Sequence, residues 1–149
     1  MDEERGRHLL SNSLYMLRQA LGENALIGAG DVVRLDVARV RCDVRDFEDT
    51  LARGELARAV ALYTGPFLDG FFLADTLEFE RWATRERERL ATVYARALES
   101  LAEGAERERD FRGAAEWWKT RAAQDVLDSR VALRLMRALE AAGNRAGAL

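Results

Sequence analysis

Leucines at 10, 14, 17 and 21 put an apolar stripe on one side of residues 7–21, and the spacing predicts an amphipathic helix. Gly22 follows as its stop, with Glu23 and Asn24 continuing the turn. Two short apolar runs, Ala25 to Gly28 and Val32 to Leu35, flank a turn containing Gly30 and Asp31 and predict a small hairpin. Asp36 is suited to cap a short turn over 37–40. Asp43 is suited to cap a helix with Phe47 and Leu51 on its inner side. Gly54 closes that helix, and Leu56, Ala59, Val60 and Tyr63 stripe its partner.

After Gly65-Pro66 the periodicity stops. Residues 66–77 form an apolar loop with Phe67, Phe71 and Phe72, which must pack against something. From Glu78 to about Glu108 a helix of roughly 45 Å is predicted, striped by Phe79, Trp82, Leu90, Tyr94, Ala97, Leu98 and Ala102. Asp110 caps the next helix, and Asp128 or Ser129 caps the one after it, which Gly143 ends.

These helices repeat. Arg53-Gly54-Glu55-Leu56-Ala57-Arg58-Ala59-Val60 returns in altered form from Arg109-Asp110-Phe111-Arg112-Gly113-Ala114-Ala115, and a shortened third copy begins at Ala142-Gly143. Each copy is a helix end, a polar turn, and a helix opening with small residues; the first two run on into aromatics. Small residues let helices approach closely and aromatics fill the space a turn later. The fold class expected is mainly α, a tetratricopeptide-like array of helical hairpins in residues 37–149. A short helix plus β-hairpin, the closing half of a winged helix, is expected in residues 1–36.

Composition narrows the function. The 149 residues carry a net charge of −3 with 48% apolar and 33% charged side chains, ordinary for a helical domain. No apolar run is long enough to span a bilayer, and the start of the chain lacks the basic and apolar regions of a signal peptide, so a cytoplasmic location and no membrane partner are expected. One cysteine, Cys42, and one histidine, His8, leave no disulfide, no metal cluster and little room for nucleophilic catalysis. No enzyme, cofactor or metal is expected. Cys42 is expected to sit buried as a small hydrophobe. Residues 1–45 balance seven acidic against seven basic side chains, so the negative charge lies beyond them.

Two stretches carry a family resemblance. Arg7-His8-Leu9-Leu10-Ser11-Asn12-Ser13-Leu14-Tyr15-Met16-Leu17-Arg18-Gln19-Ala20-Leu21-Gly22 is similar to the recognition helix of a winged-helix DNA-binding domain. Asp43-Val44-Arg45-Asp46-Phe47-Glu48, then Leu62-Tyr63-Thr64-Gly65-Pro66-Phe67-Leu68, then Phe79-Glu80-Arg81-Trp82 follow in that order. Together they resemble the bacterial transcriptional activator domain of antibiotic-regulatory-protein-type transcription factors. Val126 stands where that family usually has proline.

The resemblance implies a transcription regulator. Promoter DNA would be contacted by Ser11, Asn12, Ser13, Tyr15 and Arg18 of the recognition helix and by Arg34 of the wing, once the earlier strands and helices of the winged helix are present. The helical array would dimerise or contact RNA polymerase or another regulatory protein. Trp117 and Trp118 are adjacent and cannot both point inward on one helix, which marks them as a partner-binding surface. The rival expectation is an interaction scaffold that does not bind DNA.

Overall fold

The computed structural model describes residues 2–29, 32–73 and 76–143. Six helices and one two-stranded antiparallel sheet follow in chain order among them: α1 (Asp2–Leu21), β1 (Leu26–Ala29), β2 (Val32–Leu35), α2 (Asp43–Ala52), α3 (Leu56–Leu62), α4 (Leu77–Arg107), α5 (Phe111–Ala122) and α6 (Ser129–Ala141). The mainly helical architecture with a small hairpin is the one the periodicity predicts. The chain divides into two compact units, Met1–Arg45 and Asp46–Leu149.

In the first unit, α1 starts five residues earlier than its leucine stripe indicates. Glu4 in the first turn favours this, because a carboxylate near a helix N-terminus is stabilised by the helix dipole. Gly22 at φ 101 ends the helix, its N–H donating to the Arg18 carbonyl at 2.8 Å. The hairpin pairs Leu26 with Leu35 and Ile27 with Arg34. Asp36 caps its turn, accepting from the Ala38 N–H at 3.0 Å. The turn expected at Gly30 and Asp31 lies outside the described residues. So does the third repeat copy beyond Gly143.

In the second unit, α2 and α3 meet through Phe47 and Tyr63, with ring centroids 5.7 Å apart, and Tyr63 stacks on Tyr94 of α4 at 4.2 Å. Burial raises the pKa of both tyrosines. Beyond this stack, α4, α5 and α6 enclose a second core of Ala102, Ala114, Ala115, Trp118, Val131 and Ala138. Side-chain hydrogen bonds and ion pairs mark the directions of the helices. Glu106 bonds Trp118 and Glu99 bonds Arg121, so α5 runs antiparallel to α4. Glu99 pairs with Arg130 and Glu103 with Arg134, so α6 runs parallel to α4.

Two helix ends share a backbone form, one residue out of the register that pairs Arg53 with Arg109 in the sequence. Gly54 (φ 75) and Arg109 (φ 62) both close a helix in the left-handed region. Each is followed by an N–H that reaches back to the last turn, Glu55 to the Thr50 carbonyl and Asp110 to the Ala105 carbonyl. Counting on from these positions, Ala59 superposes in role on Ala114 and Tyr63 on Trp118. Both alanines are fully buried. Asp110 and Asp128 cap their helices by accepting from the Gly113 and Val131 N–H groups. That selects Asp128 over Ser129.

Cys42, expected inside, is exposed. It lies in the link before α2, outside the stripe that Phe47 and Thr50 carry inward.

Candidate functional site

The DNA-facing residues inferred from sequence all fall on described elements. At about 100° per residue, Ser11, Tyr15 and Arg18 share one side of α1. Tyr15 is 60% exposed, and the Arg18 and Arg34 side chains make no hydrogen bond or ion pair among the described residues. Asn12 lies round to one flank, its Nδ2 3.4 Å from His8 Nε2. Ser13 lies on the opposite side from Ser11 and Tyr15, and its hydroxyl donates to the Leu9 carbonyl at 2.9 Å. Ser13 therefore does not join the others on one face. Because α1 starts at Asp2, Ser11 and Asn12 stand in mid-helix rather than at its N-terminal end. Arg34 is on β2, opposite Ile27.

The apolar side of this unit is uncovered. Leu10 is 58% exposed and Leu17 and Leu21 are each 45% exposed, while Ile27, Val32, Val33 and Leu35 of the hairpin lie between 42% and 51%. A helix and two strands have no second layer on which to close.

In the array, Trp118 is fully buried. Its indole N–H donates to Glu106 Oε1 at 2.8 Å, and the Arg134 guanidinium lies 4.9 Å from its ring centroid. Trp118 therefore has no surface to offer a partner. Trp117 is half-buried against the same core. Below them Arg121, the most enclosed arginine of the ion-pair set, joins Glu99 at 3.0 Å to Asp128 at 3.2 Å. Partial burial works to raise the Glu99 carboxyl. Hydrogen bonds from Arg130 and Arg121 outweigh it and hold Glu99 below the ordinary carboxylate value.

The exposed aromatics are elsewhere. Phe71 packs edge-on against Phe79, and Phe79 and Phe67 both meet Trp82, so the loop lies against the head of α4. The Arg87 guanidinium clasps it by donating to the Phe67 and Leu68 carbonyls at 2.7 and 3.0 Å, and Leu68 itself is held at φ 51. Glu80 Oε1 accepts from the Leu73 N–H at 3.1 Å. Even so, Phe72 is 74% exposed and Trp82 42% exposed. The sequence indicated that the loop must pack but not that only one side of it would.

An open hollow of about 280 Å³ is lined by Glu106, Phe111, Arg134, Arg137, Ala138 and Ala141. Glu106 and Arg134 are paired across it at 3.0 Å. No group of three or more metal-ligating side chains occurs among the described residues, and no described helix is long and apolar enough to cross a membrane.

Comparison with known proteins places these features. No curated protein and no solved structure matches the chain. The family described as the bacterial transcriptional activator domain matches residues 31–149, which takes in β2 and every helix from α2 onward. The chain therefore belongs to the bacterial transcriptional activator domain family, a family of regulatory rather than enzymatic domains.

Proposed function

We propose that the chain serves a cytoplasmic transcription regulator in two parts. Residues 1–36 contribute the recognition helix and wing of a winged helix that binds promoter DNA. Residues 37–149 form a tetratricopeptide-like array that contacts a second copy, RNA polymerase or another regulatory protein. The observation that carries this reading is the family match over 31–149 together with the helix and hairpin at its start, which have one polar face and one uncovered apolar face. The polar face, with Ser11, Tyr15 and Arg18, suits a groove and its phosphates. The apolar face suits the remaining layer of a winged helix. In the array, Trp117 is the tryptophan of its pair with surface left for a partner. Catalysis has no role in this reading; the array acts by positioning.

Band shifts with genomic promoter fragments test it, using the chain joined to the preceding half of a winged helix. Arg18→Ala should weaken binding to all fragments alike. Asn12→Ala should cost about 1–3 kcal/mol on the preferred fragment if the amide reads a base. If neither substitution weakens binding to any fragment, the recognition-helix assignment fails.

The balanced charge of residues 1–45 favours a second reading, an interaction scaffold that never meets DNA, since phosphate binding draws on a basic surface. Under that reading the joined protein would shift no fragment at low salt.

A further inference from the structure

The geometry points to a ligand site in the hollow beside the α4–α5 turn, one that takes a small monocarboxylate with a short apolar tail. The site lies wholly within the array, so it holds whether or not residues 1–36 meet DNA. It arises where a ladder of ion pairs runs out of carboxylates. Glu99 and Glu103 of α4 meet Arg130 and Arg134 of α6, each pair 31 residues apart. Arg137 is the next arginine on α6, and the same offset leads to Glu106. Glu106 is already committed on both oxygens. Its Oε1 accepts from the Trp118 indole at 2.8 Å, and its Oε2 pairs with Arg134 at 3.0 Å. Asp110, a turn further on, accepts from the Gly113 N–H at 2.9 Å as the cap of α5. Arg137 is exposed and forms no ion pair or hydrogen bond among the described residues. The ladder thus ends on an arginine without a counter-charge, and the hollow of about 280 Å³ opens there.

The walls say what else the ligand carries. Arg134, Arg137, Ala138 and Ala141 follow at helical spacing and share one side of α6. The two alanines leave a space that larger side chains would fill, and Phe111, the first residue of α5, supplies an aromatic wall. The volume is roughly that of nine water molecules in the liquid, which suits a ligand of about ten non-hydrogen atoms. Charge fixes the headgroup. Arg134 is answered by Glu103 and Glu106, so Arg137 alone needs balance and one negative charge supplies it. A dianion would bring a second charge up to Glu106 unmet, and an amine would be repelled by Arg137. A planar carboxylate matches the guanidinium fork with two parallel hydrogen bonds.

An NMR titration of the whole chain with 3-phenylpropionate tests the site. Amide shifts should saturate, fall within residues 106–111 and 134–141, and give a Kd of about 1 mM or tighter, in keeping with a ligand of this size. 3-Phenylpropylamine, the same tail with the opposite charge, should give no saturating shift. Acetate keeps the headgroup and loses the tail, so it should bind at least about tenfold more weakly. Arg137→Gln should weaken the acid at least about tenfold, and Ala141→Leu, which fills the hollow, should abolish saturation. Both positions are exposed, so the fold should be retained, with an unchanged helical circular dichroism spectrum as the check. The acid and amine comparison stands on the wild type alone. Absence of saturation by about 10 mM acid, equal responses to acid and amine or to acid and acetate, or wild-type binding by Arg137→Gln would overturn the inference. None of those results bears on promoter binding, which the band shifts read separately.

Discussion

Arg109 holds the backbone shape that Gly54 holds one repeat earlier, φ 62 against 75, and each follows the last turn of a helix. An L side chain in that region meets a steric cost that glycine avoids, partly offset by the greater freedom of glycine in the unfolded chain. Arg109→Gly should therefore raise stability by about 0.5–1 kcal/mol, a rise of a few degrees in Tm for a chain of this size. Differential scanning calorimetry checks it, and a fall in Tm would show that the arginine contributes more through its side chain than its backbone loses.

Trp118 anchors the second core. Trp118→Ala should destabilise by about 3–5 kcal/mol, the range for removing a large buried aromatic. Trp118→Phe keeps most of the volume and removes the N–H that meets Glu106. Its cost should be about 1–2 kcal/mol, because Glu106 keeps Arg134 as a partner. Urea unfolding of the two variants separates packing from hydrogen bonding, and equal losses would assign the whole effect to the lost N–H bond.

The depressed carboxyl of Glu99 makes stability depend on pH. A group whose pKa is lower folded than unfolded stabilises above its unfolded value, 4.5 for glutamate here, and loses that contribution as pH falls through the folded value. The wild type should therefore lose stability below about pH 4.5, and Glu99→Gln should show a shallower acid limb. Thermal melts from pH 7 to pH 3 compare the slopes. Parallel curves would mean that the Arg121–Glu99–Arg130 contacts contribute nothing specific.

Arg87 is the only side chain described as bonding the Phe67 and Leu68 carbonyls. Arg87→Ala should loosen residues 66–73 and relax the left-handed Leu68, whose conformation costs about 1–3 kcal/mol and persists only when its surroundings hold it. Hydrogen exchange read by mass spectrometry should show faster exchange across that loop with α5 and α6 unaffected. Exchange unchanged in the loop would leave aromatic packing alone as what holds it.

Much of this architecture was legible in the sequence because its signals are local. Asp110 and Asp128 stand where a cap is required, Gly54 and Gly143 stand where a positive φ is required, and alanines at matching places announce the repeat. What escaped depends on chain segments far apart. Ala83 is fully buried yet looks like any alanine in a charged run. The Glu99–Arg130 and Glu103–Arg134 pairs join residues 31 apart, a relationship no helical period encodes. The leucines of α1 read as a core stripe, but a stripe indicates only that a surface prefers cover, and here Leu10, Leu17 and Leu21 face water. At the site, Tyr15 and Arg18 could be aligned from spacing alone. The commitment of the Ser13 hydroxyl to Leu9 and the burial of Trp118 could not.

The unbroken run of α4 has a mechanical meaning. Its 31 residues make a rod of about 46 Å, with the aromatic loop fastened near one end and the α5–α6 pair bolted along the other by Glu99, Glu103 and Glu106. A torque applied where Trp82 sits is delivered, undamped by any hinge, to the surface that Arg134 and Arg137 share. Whatever grips one end of this rod steers the other.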